Sequence, residues 1–109
     1  MATILGYIDR ANSARIELTE GRRPVADGFD RAVLRFGAWC LDTADQDAPI
    51  QMAAGGKAVD VQVGLVEGLV RGQYTARLTV YDQENPEGLA WPTPIGVFVQ
   101  PWDACEVVP

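Results

Sequence analysis

Apolar residues recur at every second position along most of this 109-residue chain, a period that leaves little but half-buried β-strands to build with. Ala14-Arg15-Ile16-Glu17-Leu18-Thr19 alternates without a break, and Val59-Asp60-Val61-Gln62-Val63 does the same. Tyr74 to Val80 places Tyr74, Ala76, Leu78 and Val80 on one face, and Thr75, Arg77 and Thr79 on the other. Arg31 to Cys40 reads as one longer strand, with Ala32, Leu34, Phe36 and Ala38 inward and a mixed face of Arg31, Val33, Arg35 and Trp39. Ile4 to Ile8 and Ile95 to Val99 predict the first and last strands, and Pro49 to Met52 a short edge strand that tolerates its proline. Leu65 to Val70 offers at most one helical turn. Turn chemistry separates the strands, in Glu20-Gly21-Arg22-Arg23-Pro24, Ala54-Gly55-Gly56-Lys57 and the polar run Asp82 to Gly88.

This spacing predicts an all-β chain: a single antiparallel immunoglobulin-like β-sandwich of about seven strands over residues 1–102, with a C-terminal tail over 103–109. Tyr74 sharpens that expectation. A tyrosine at the start of the penultimate strand of such sandwiches turns its hydroxyl back onto an upstream backbone group, and Gly72 permits the tight turn before it. Tyr74 and Gly72 are therefore read as a structural tyrosine corner.

Composition then removes most catalytic chemistry. The chain has no histidine, so the commonest general base, most zinc enzymes and the usual serine-protease triad are excluded. Ser13 is the only serine and has neither a histidine nor a nucleophile elbow. No helix follows a glycine-rich loop that could cradle phosphate. Asp42, Asp45 and Asp47 put three carboxylates in one loop, but their spacing does not fit an EF-hand and reads as a solvated acidic turn. No catalytic, cofactor or metal site is expected, and the chain is read as a non-enzyme.

Fifteen acids against nine bases give a net charge of -6, which argues against nucleic acid as a partner. No run approaches the roughly 18 apolar residues that cross a bilayer, and the first residues lack the form of a secretion signal. Assembly in a cytoplasm, with Cys40 and Cys105 reduced, follows as the expectation.

The conspicuous residues are aromatic and braced by proline. Trp91 precedes Pro92 and Pro94, and Trp102 follows Pro101. Rigid aromatic edges serve protein interfaces as anchors, and equally they cap the ends of a core. Trp91, Trp102, Trp39, Tyr81, Pro92 and Pro94 are the interface candidates.

The order of these motifs resembles small immunoglobulin-like virion proteins of tailed bacteriophages and prophages. The resemblance rests on Ala14 to Thr19 leading into Gly21 to Pro24, on the arginine-bearing strand Arg31 to Phe36, on Gly72-Gln73-Tyr74 through Tyr81-Asp82, and on Gly96 to Val99. The proline-rich segment from Glu84 to Pro94 departs from that pattern. The resemblance implies a structural protein of the virion, assembled in the host bacterial cytoplasm and present as a homo-oligomer or in several symmetric copies. Its partners would be other virion proteins of the tail, baseplate or fibre-attachment region, or, alternatively, of a decorated capsid. Two rival classes stay open: a carbohydrate- or surface-binding module that stacks a sugar on Trp91 and Tyr81, and a cellular regulatory or chaperone-like partner protein.

Overall fold

The alternation resolves into two packed sheets in the computed structural model, which describes residues 2–20, 23–25, 27–92 and 94–101. Eleven strand segments follow in chain order: β1 (Ala2–Ile8), β2 (Ala14–Glu17), β3 (Thr19–Glu20), β4 (Arg23–Pro24), β5 (Arg31–Phe36), β6 (Trp39–Asp42), β7 (Ile50–Ala53), β8 (Ala58–Val61), β9 (Gly72–Tyr81), β10 (Leu89–Ala90) and β11 (Ile95–Pro101). Among the described residues the only helical pieces are two 3-10 turns, Ala54–Gly56 and Val63–Leu65.

The larger sheet is six-stranded, in the order β1-β11-β9-β5-β6, with β10 also paired to β9. The smaller sheet runs β2-β8-β7, and β3 with β4 makes a separate short ribbon. The core lies between the sheets. Ala76, Leu78 and Val80 from β9 meet Ile16, Val59 and Val61 from the smaller sheet in one buried cluster. Burying a side chain such as Leu78 contributes about 1.5–3 kcal/mol, so the alternation along β9 fixes its inward face.

Three expectations need correction. The sheet is not wholly antiparallel, because β1 lies parallel to β11, in register from Ala2↔Ile95 to Ile8↔Pro101. No hairpin links these strands, so nothing local constrains their relative direction. The strand count exceeds seven, partly because Leu18 interrupts the run from Ala14 to Glu20. Finally, Arg31 to Cys40 is not one strand. It folds into a hairpin in which Phe36 pairs with Trp39 across Gly37 and Ala38. Gly37 has φ +54°, the left-handed conformation that a two-residue hairpin turn demands at its first central position. The inward pattern therefore stops at Phe36, and Ala38 is exposed.

One close backbone approach holds β1 against the opposite side of the sandwich. Gly64, in the second 3-10 turn, lies so near β1 that a Cβ there would fall 2.1 Å from the Tyr7 carbonyl oxygen. The Asp9 N–H donates to the Gly64 carbonyl at 2.9 Å.

Candidate functional site

Residue parity divides each strand of the six-stranded sheet into a core-facing and an outward set. The outward set forms rows across the sheet, read from the register. Asp42, Val33, Thr79 and Ala90 make one row, and Cys40, Arg35 and Arg77 the next. Thr75, Gly96 and Thr3 follow, then Gln73, Phe98 and Leu5. This face has an arginine-bearing centre and, at one corner, the neighbouring apolar pair Leu5 and Phe98, each 38% exposed.

Arg35 and Arg77 sit directly opposite each other on adjacent strands. Cβ atoms in such pairs lie about 5 Å apart, and like charges in that position oppose folding. Neither guanidinium has an ion-pair partner among the described residues; the two ion pairs there are Arg15 with Asp60 and Arg31 with Asp42. The second of these sets the edge of the face. The Arg31 Nε donates to Asp42 Oδ1 at 2.9 Å and its Nη2 donates to Oδ2, which holds the Asp42 carboxyl down at about 2. The same guanidinium lies 4.7 Å from the centre of the Tyr81 ring.

A bulge beside Arg77 turns this flat face into a groove. From Ala90 to Ile95 the chain advances five positions, while its partner strand advances three, from Thr79 to Ala76. The stretch 90–95 therefore carries two residues more than its partner strand can pair. Proline has no N–H to leave unpaired there, which is why Pro92 and Pro94 are tolerated in the middle of what would otherwise be one strand. The Trp91 N–H still donates to the Leu78 carbonyl at 2.9 Å. The result is an open groove of about 570 Å³, floored by Arg35, Thr75, Arg77 and Thr79 and flanked by Trp91 and the two prolines.

The interface candidates thus take different places. Pro92 and Pro94 are exposed on the rim of the groove. Trp91 is half-buried, packed on the core and edge-on to Phe29 with centroids 6.1 Å apart, so it both caps the core and bounds the groove. Trp39 faces inward, 5.5 Å from both Phe36 and Tyr74. Tyr81 is outward but carries Arg31. Trp91 and Tyr81 thus have different ring partners, Phe29 for one and Arg31 for the other. Trp102, Cys105 and the tail 103–109 lie outside the described residues. The Tyr74 hydroxyl donates to the Val70 carbonyl at 2.8 Å, and a Cβ added at Gly72 would stand 3.2 Å from that hydroxyl.

The acidic turn is tied up internally. Asp42 accepts from Arg31 and from the Ala44 N–H, and Asp45 accepts from the Asp47 N–H. Among the described residues no group of three potential metal ligands converges. Ser13 lines a polar recess of about 350 Å³ with Asp45, Gln46 and Asp60. Asp60 is engaged by Arg15, whose two hydrogen bonds, at 2.7 and 3.1 Å, lower its carboxyl.

Sequence reasoning missed the arginine pair. Arg35 and Arg77 are 42 positions apart (77 − 35), and only the β5–β9 register brings them together. Their outward parity was legible; their juxtaposition was not. No protein-family model, curated protein or solved structure matches the chain.

Proposed function

We propose that this chain is a non-enzymatic assembly module, an immunoglobulin-like building block of a tailed-phage virion, and that it docks through the outer face of its six-stranded sheet. The immunoglobulin-like part of this reading is supported by a first strand parallel to the last, by the β2-β8-β7 sheet packed behind, and by the hydroxyl of Tyr74 bonded four residues upstream. The observation that carries the docking role is the groove itself, in which two arginines outside any ion pair among the described residues lie directly opposite each other beside a proline-braced tryptophan. Like charges in that position cost the isolated domain stability, and a partner that brings carboxylates reverses the sign. Aromatic and arginine side chains in such a setting are the residues on which interfaces concentrate their affinity.

The test is particle composition. Peptides of this chain are expected in purified virions of the phage or induced prophage that encodes it, in several copies per particle. Recovery only in the unassembled soluble fraction would overturn the reading.

A further inference from the structure

The centre of the outer face carries two arginines directly opposite each other, and one end of the same molecule carries exposed carboxylates. The Asp30 N–H donates to the Tyr81 carbonyl at 2.8 Å, which places Asp30 at the end of the sheet where the Asp82–Gly88 loop begins. Within that loop, Asp82 turns its carboxylate onto the Asn85 backbone N–H and side-chain amide. Glu84 and Glu87 are left exposed on either side of Pro86, with no ion pair among the described residues.

Resting on the assembly reading above, we infer that the arginine pair is the receptor for a second copy of this chain, head to tail: Glu84 and Glu87 of one copy dock on Arg35 and Arg77 of the next. Two guanidinium forks match two carboxylates in charge and in planar, bidentate geometry. A two-fold dimer whose axis passes through the arginine pair is the arrangement this surface resists. It would bring two Arg35–Arg77 pairs together, while the neighbouring carboxylate, Asp42, is hydrogen-bonded to Arg31 and offsets the charge of Arg35 only from a distance. A polyanion such as nucleic acid is disfavoured by the net charge of -6, which repels it at range. A head-to-tail contact uses two different patches, so it closes into a ring or propagates as a filament, and either geometry suits a repeating assembly.

Sedimentation equilibrium of the full chain tests this, up to about 0.5 mM, where contacts of near-millimolar strength become visible. The wild type is expected to self-associate. Arg35→Glu/Arg77→Glu and Glu84→Lys/Glu87→Lys are each expected to weaken association by at least about tenfold, because each places like charges across the contact. An equimolar mixture of the two double variants is expected to associate again, since the reversed loop now fits the reversed face. Circular dichroism and thermal melts of each variant exclude misfolding as the cause. A wild type that stays monomeric overturns the inference, and so does an association that survives both reversals. Neither result touches the assembly reading, which stands or falls on virion composition. Salt supplies a second arm. The inferred contact weakens as salt rises, whereas docking through Leu5 and Phe98 between copies of like net charge strengthens.

Discussion

Removing the hydroxyl of Tyr74 isolates one bond in the structure and leaves everything else in place. In Tyr74→Phe the ring keeps its contacts with Phe36, at 5.9 Å, and Trp39, at 5.5 Å, and loses only the 2.8 Å bond to the Val70 carbonyl. A hydrogen bond near the surface contributes about 1 kcal/mol net, and the carbonyl left behind can find water, so the expected loss is about 0.5–1 kcal/mol. For a domain near 100 residues that corresponds to a fall of roughly 3–6 °C in Tm. Tyr74→Ala also removes the aromatic cluster. Full burial would put that cost at about 3–5 kcal/mol, and half-burial brings it to about 2. Gly72→Ala supplies the cross-check, because its Cβ at 3.2 Å from the hydroxyl presses on the same group, which must give by a few tenths of an ångström. The Tyr74→Phe and Gly72→Ala effects should therefore overlap in the double variant and fall short of their sum. Urea unfolding followed by tryptophan fluorescence reads the wild type and all four variants. If Tyr74→Phe is as stable as the wild type, the bond does not secure the crossing into β9, and the structural role given to Tyr74 is refuted.

Acid should expose the Arg31–Asp42 pair. Its carboxyl lies at about 2 when folded against 3.8 ordinarily, so its contribution is complete above 3.8 and disappears as pH falls toward about 2. Urea midpoints of Asp42→Asn measured over that window should decline less steeply than those of the wild type. Gly64→Ala forces a methyl group against two backbone carbonyls, at 2.1 Å from Tyr7 and 2.4 Å from Arg10, and should cost about 3 kcal/mol by thermal melt, as overpacking does. An unperturbed melt there would mean that β1 does not dock as described. Trp91→Ala should lose both stability, about 2 kcal/mol for a half-buried ring, and self-association in sedimentation. Loss of stability alone would make Trp91 a cap and nothing more. Alkylating Cys40 with a bulky maleimide in a Cys105→Ser background should also block association, since Cys40 is the cross-strand neighbour of Arg35. Unchanged association after labelling would place the contact elsewhere.

The sequence by itself determined the layered β character, because a period of two can bury only one face of a strand. It determined which side chains of β9 point inward. It also marked Tyr74, whose partner is local, only four residues away. What escaped it was non-local or concealed by the period. The parallel pairing of β1 with β11 joins the first and last strands, and no loop length advertises it. The turn at Gly37 was hidden because the apolar alternation continues through it to Ala38, so only the backbone conformation ends the strand. The arginine-bearing face belongs wholly to the tertiary structure. Alternation told that Arg35 and Arg77 face away from the core, but which outward residues become neighbours is set by register. Register is fixed by the packing of the opposite, buried face, where a slip of one residue would turn Leu34 and Leu78 out of the core. The core therefore selects the register, and the register places two arginines side by side on the surface.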